Sequence, residues 1–481
     1  MKLLSRALVA GGLLLSTGAA CHPQQSAVQP PRPAAARSLP PAKAASCPAV
    51  AVAPDPHRPV VHLSFDLSAD RRTVRGTESV RFVPDRPVTE LIFRLWPNGT
   101  TAPIGTRLTV TRAVTPGGGA FTTQSLGGRG GSQGTLLAIP LGRTAAPGQL
   151  LRVDLAFVLS LPTPAFERWG STGRTAWWAS GHPLLAWERG RGWDREPAIR
   201  FPSEASTSEA ADTSVTVRTP AGDDVLMTGL TAPPRRQPDG RLLWRATSSA
   251  ARDVSVAVSR FVTRAATVDG VKVTVGVAPD TLPDPVLREP VDVDNLLTET
   301  LRSVRAVTAM YGAFPYPSLA VAALPSLSSG GIEYPGAIQV GNGGWHVSLP
   351  HETAHQYFYG MVGNDQARDP WLDEAFATYS EARSNGSEKA YLPNLSRPGR
   401  VGASLRSWGT DARGYYLAVY YKGAAALLTA RARAGTGAFD DAIGCYIRTN
   451  AWRIATPAAL AASLAELPVA TAVLSQAGAL P

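Results

Sequence analysis

Nowhere does the chain reach the roughly 18 uninterrupted apolar residues that a lasting membrane anchor needs, so no integral membrane protein is expected. Lysine is scarce, confined to Lys2, Lys43, Lys272, Lys389 and Lys422, and the formal net charge of +10 is therefore carried by arginine. Those arginines are scattered instead of clustering in runs or along one helix face, which argues against a nucleic-acid partner. No internal repeat occurs, so a repeat architecture is excluded. Cysteine is limited to 3 residues: Cys21, Cys47 and Cys445. With Cys21 in the leader region, Cys47 and Cys445 are the sole candidate disulfide pair, and two unpaired thiols fit the sequence equally well.

What is present is a chain of 481 residues, 44% apolar, long enough for two or three domains with a substantial core. Residues 1–21 read as an export signal: Lys2 and Arg6 give a positive start, Ala7 to Leu15 an apolar run, and Ser16 to Ala20 a small-residue cleavage region. Cys21 after Gly18-Ala19-Ala20 resembles a bacterial lipobox, with Gly18 where leucine is usual. Lipidation at Cys21 predicts an envelope-anchored protein, and ordinary cleavage predicts a secreted one. Residues 22–55 are rich in Pro, Ala, Gln and Ser and predict a disordered tether.

Residues 56–265 alternate apolar and polar side chains, as in 60–67, 77–82, 91–96, 151–159, 213–217 and 254–261, with turn signals such as Pro97-Asn98-Gly99 between them. They predict an antiparallel β domain, a sandwich or saddle. Residues 266–481 begin with a strand at 271–277 and turn helical. Val293, Leu297, Leu301, Val304 and Tyr311 mark one face of a helix over 291–311, and further helices are expected at 424–434 and 458–467. The fold class is thus α+β and multidomain.

His351-Glu352-Thr353-Ala354-His355 is an H-E-x-x-H motif. On a helix its two histidines lie one turn apart on one face and can share a metal ion, while Glu352 stands beside the metal as a general base. Pro350 is placed in the first turn of that helix, where it forfeits no internal hydrogen bond. Asp369-Pro370 predicts the cap of a second helix that presents Glu374 as third ligand. Two imidazoles and one carboxylate leave a fourth position open, as in a catalytic zinc site. Glu381, seven residues on, lies on the same face to orient a ligand. With only 7 histidines in the chain, chance is a poor explanation.

The stretches His351 to Gly360 and Trp371 to Ala377 resemble the zinc helix and third-ligand segment of the gluzincin aminopeptidases, the aminopeptidase N and leukotriene hydrolase family. Gly330-Gly331-Ile332-Glu333-Tyr334 is similar to the family's exopeptidase motif, with Tyr334 in place of the usual asparagine, and Val419 to Ala424 is similar to its Val-Tyr-Glu-Lys-Gly-Ala segment. The resemblance implies a thermolysin-like, mainly helical peptidase domain over 266–481, a short form lacking the large C-terminal helical domain. It further implies one Zn2+ per chain, held by His351, His355 and Glu374. In it Gly330 and Gly331 bind an extended peptide, Glu333 holds the free α-ammonium, Tyr420 steadies the oxyanion, and Glu188 is a candidate second amine holder. The implied activity is removal of N-terminal residues from peptides. A non-catalytic peptide-binding protein, or an endopeptidase or non-peptide hydrolase on the same site, remains as an alternative.

Overall fold

The computed structural model describes residues 47–126, 133–163, 165, 167–197, 199, 201, 207–285, 288–325 and 330–481. The export signal, Cys21 and tether residues 22–46 lie outside them. Strand alternation positions the first sheet: Val60–Leu67 buries Val61, Leu63, Phe65 and Leu67, and Thr73–Phe82 buries Val74, Val80 and Phe82 on the matching register. The sheet has seven strands in the order 230–236, 242–251, 211–219, 60–67, 73–82, 151–160, 107–114. It is mixed, which corrects the purely antiparallel expectation. Val60–Leu67 pairs parallel with Ala211–Thr219, Val60 opposite Asp212, because the chain returns from a long excursion through other sheets and not from a hairpin. Alternation reports which face is buried but carries no information on strand direction. Two four-stranded sheets and the two-stranded pair Trp187–Glu188 and Gly192–Trp193 complete this half among the described residues, and Phe65 meets Trp178 of one four-stranded sheet edge-on with ring centroids 5.5 Å apart.

The second half is built on a five-stranded sheet in the order 262–268, 271–277, 318–323, 337–340, 331–334. Its inner valines Val271, Val273, Val275, Val321 and Val340 share one core with Leu296 and Val304 of helix α1 (Val293–Tyr311) and Trp345 and Leu349 of helix α2 (Trp345–Ala354). The buried face of α1 is Leu296, Thr300, Ser303, Val304 and Val307. Leu297 and Leu301, expected at its centre, flank the core and are only partly buried. Thr300 and Ser303 escape an apolar count because each returns its hydroxyl to the carbonyl one turn back, Thr300 to Leu296 at 2.7 Å and Ser303 to Glu299 at 2.8 Å. Pro350 lies in the interior of α2, not its first turn, since the helix starts at Trp345. The helix expected over 458–467 spans Pro457–Ser463, and a further helix, Pro468–Gln476, opened by its own proline, follows it.

One side chain of the β half grips the segment that leaves α2. Arg252 is fully buried, and its Nε donates to the carbonyls of Tyr359 (2.8 Å) and Gly360 (3.2 Å). Its Nη2 donates to those of Met361 (3.4 Å) and Arg453 (2.9 Å), and its Nη1 to that of Ser208 (2.9 Å). A Cβ on Gly363 would sit 2.3 Å from the guanidinium carbon, so only glycine admits the arginine there. Within this grip Tyr359 adopts φ 101°, a left-handed conformation that a tyrosine takes only when its surroundings enforce it. Arg252→Ala strands several buried carbonyls and is expected to cost about 3 kcal/mol of unfolding free energy. A urea-unfolding midpoint equal to the parent's would remove Arg252 from this role.

Candidate metal centre

The last turn of α2 carries His351 and Glu352, His355 caps its C-terminal end, and all three side chains are buried. Helix α3 (Trp371–Ser384) brings Glu374 to them from its first turn, where a carboxylate also gains from the helix dipole. Asp369 makes no side-chain cap bond, contrary to the sequence reading. Pro370 is the cap residue, and its carbonyl accepts from Glu374 N at 3.0 Å. Glu374 Oε2 lies 3.2 Å from His351 Nε2 and 3.5 Å from His355 Nε2. Burial works to raise its pKa, but hydrogen bonds from both imidazoles hold Glu374 well below the usual carboxylate range.

The far nitrogens of both rings face carboxylates. His355 Nδ1 lies 2.5 Å from Asp373 Oδ1, and Asp373 Oδ2 accepts from Gln366 Nε2 at 3.0 Å. His351 Nδ1 lies 3.6 Å from Glu381 Oε2, whose other oxygen accepts from the Tyr391 hydroxyl at 2.6 Å. Glu381 therefore stands behind a histidine as its heptad spacing predicted. Asp373 was missed, and its signal was faint: it directly precedes Glu374, and neighbours on a helix point some 100° apart. Only the crossing of α2 over α3 lets both reach His355.

The rest of the predicted site converges unevenly. Gly331–Tyr334 is the edge strand of the five-stranded sheet, and Gly330 leads into it. A Cβ on Gly331 would fall 2.7 Å from Cγ of Glu352, so a side chain at this position would displace Glu352. Gln356, the residue after His355, ties this hairpin down by donating to Tyr334 O (3.0 Å) and accepting from Gly336 N (2.8 Å). Glu333 is buried, and its Oε1 has no partner. Burial, opposed by His355 and reinforced by Asp373, Glu374 and Glu352, pushes its carboxyl up to about 8.

Tyr420 stacks parallel to His351, ring centroids 5.8 Å apart; burial and the nearby charge of Glu374 keep its phenol protonated far above the usual range. It belongs to a π-helical stretch, Tyr416–Lys422, that also turns Tyr416 toward the site, the two rings 4.7 Å apart. Tyr421 points away, exposed, and stacks on Tyr391. Glu188 is not at the centre: it pairs with Arg191 at 2.9 Å, and its other charged neighbours are Asp365, Asp194 and Arg368. A strand end next to tryptophans could not reveal that distance. A different carboxylate of the β half, Glu167, lies near enough for its charge, with those of Glu374 and Glu352, to act on Tyr416. Beside it Arg168 donates to the Tyr334 hydroxyl at 3.0 Å.

Donor atoms of His351, His355 and Glu374 lie within 4.8 Å of one another, and a second triad, Glu333, Glu352 and His355, overlaps them. The first is the better cage. His355 Nδ1 is bonded to Asp373, and His351 Nδ1 meets Thr378 Oγ1 at 3.5 Å with Glu381 at 3.6 Å, so each ring turns its Nε2 toward Glu374, and two imidazoles with one carboxylate suit zinc.

The sequence matches no family model and no curated protein. The fold does match solved structures. An M1 zinc metallopeptidase from Deinococcus radiodurans is 20% identical, with a TM-score of 0.63 over 87% of this chain and 92% of that one. A mutant of the Deinococcus radiodurans protein bound to a Tyr-Ser-Ala substrate gives 0.65 at 19% identity over 87% and 94%. A two-domain M1 zinc metallopeptidase mutant bound to L-arginine gives 0.64 at 19% over 90% and 96%. The β-rich first half and helical second half of this chain thus have the fold of M1 metallopeptidases.

Asp373→Asn should weaken zinc binding about 10- to 100-fold, because the amide no longer orients His355 as a carboxylate does. Competition with a chromophoric chelator reads this directly, and an unchanged affinity would deny Asp373 its part.

Proposed function

We propose that the chain is a zinc aminopeptidase of the gluzincin type, which hydrolyses N-terminal residues from peptides. The observation that carries this reading is the buried, unpartnered Glu333 oxygen on the edge strand beside the His351, His355 and Glu374 triad. A carboxylate so placed awaits a cation, and a substrate's α-ammonium supplies one. The M1 structures bound to a Tyr-Ser-Ala substrate and to L-arginine support it.

Zinc held by His351, His355 and Glu374 would supply Lewis acidity to water and to the scissile carbonyl. The protein's own groups do the rest. The substrate's first residues extend along Gly330 and Gly331 as an added strand. Glu333 fixes the amine, and Glu167 replaces Glu188 as the carboxylate of the β half offered to it. Glu352, held against Gly331 next to both histidines, takes the proton of the attacking water and returns it to the leaving amine. Tyr420, kept protonated, donates to the oxyanion as it forms.

The reading carries its wider expectations with it. The β half, 56–265, is a sandwich or saddle that closes over a thermolysin-like domain, 266–481. The chain is exported through the 1–21 signal and then secreted or held at the envelope by a lipid at Cys21. Peptides are its partners, nucleic acid is not.

Glu352→Gln should keep its zinc and lose turnover by about 10³-fold, the scale of a positioned general base. Glu333→Gln should raise KM for peptides with free amino ends far more than it lowers kcat. N-acetylated versions of cleaved peptides should resist the parent enzyme. Their cleavage at the parent rate, read by mass spectrometry with and without chelator, would replace aminopeptidase by endopeptidase.

A further inference from the structure

The chain's two described cysteines, distant in sequence, meet on one surface. Cys445 lies on the helix Thr436–Asn450, one turn before Arg448 on the same face. Arg448 donates from Nη2 to the Cys47 sulfur at 3.0 Å and from Nε to Pro48 O at 2.8 Å, and its own carbonyl accepts from Val52 N at 2.9 Å. Residues 47–52, part of the stretch expected to be a loose tether, are thereby laid along the helix, with Cys47 held on the guanidinium of the residue one turn from Cys445. Burial and the neighbouring Cys47 push the Cys445 thiol up. Both are free thiols, Cys47 exposed and Cys445 partly buried.

We infer that Cys47 and Cys445 form a disulfide that fastens residues 47–52 to the helix behind the metal centre. That helix packs Phe439 and Tyr446 on Tyr379 and Phe376 of α3, the helix that carries Glu374. The bond would thus tie the N-terminal segment to the scaffold of a metal ligand without touching the site. Its chemistry needs a disulfide oxidant R–S–S–R, such as oxidised glutathione. Exposed Cys47 attacks one oxidant sulfur and releases R–SH; Cys445 then attacks the mixed disulfide at Cys47 and releases a second R–SH. Two thiol hydrogens and two electrons leave the protein, and one S–S bond forms. Oxidising compartments supply such partners.

The test uses the full chain with Cys21→Ser, treated with oxidised glutathione and digested without reductant. The expected product is one cross-linked peptide joining Cys47 and Cys445, with both residues protected from alkylation. Its thermal midpoint should rise by several degrees over the dithiothreitol-treated protein. That rise should vanish in Cys47→Ser, a substitution at an exposed site that leaves the helix core intact. Two alkylatable thiols after treatment, or glutathione retained on Cys47, would overturn the inference.

Discussion

Four carboxylates, Glu333, Glu352, Asp373 and Glu374, are buried around two imidazoles, and the rest of the structure is organised to tolerate that concentration of negative charge. Desolvation disfavours each of them in its charged form, and their mutual repulsion adds to it. The imidazoles answer part of the demand, with Glu374 between their Nε2 atoms and Asp373 behind His355. A divalent cation at the same point would answer most of the remainder, and a substrate amine the last of it. The strong grip of Arg252 on the carbonyls after α2 and the tie of Gln356 to the edge strand are then intelligible as bracing for a cluster that would relax apart if left to itself.

Much of this centre was legible because helical geometry converts spacing into direction. His351 and His355 had to share a face, and Glu381 had to share one with Glu374, wherever the helices went. The broad division into a β-rich first half and a helical remainder was legible for the same reason, whereas the short strands Ser318–Ala323 and Ala337–Val340 of the second half's sheet, too brief to show a period, were not. Strand direction was not, because Val60–Leu67 shows the same inward residues whether its neighbour runs parallel or antiparallel. Asp373, Gln366 and Arg252 were also hidden. Each acts through a contact set by how elements cross, and no local pattern encodes a crossing.

Glu188 and Glu167 make the same point in opposite senses. Both are glutamates of the β half near tryptophans, and the residues around them offer no motif to choose between them. Glu188 is consumed by Arg191, whereas Glu167, at φ 44°, sits on a tight turn that reaches across to Tyr416. Backbone strain at a functional rim is a common way to aim a side chain that a regular strand would hold elsewhere.

The π-helical stretch Tyr416–Lys422 runs directly into the α-helix Gly423–Ala434, whose first residue abuts Ala375 of α3, 2.5 Å from where a Cβ would stand. A π-turn is an α-turn holding a surplus residue. The junction with α3 is an anchor and the surplus lies just ahead of it, so the number of residues in between works as a phase dial for the phenol. Removing one would let the segment wind as ordinary helix and swing what precedes it by about 100°. Insertions and deletions here should be judged by phase and not by chemistry, since a chain with every side chain of the centre intact could still face the wrong way.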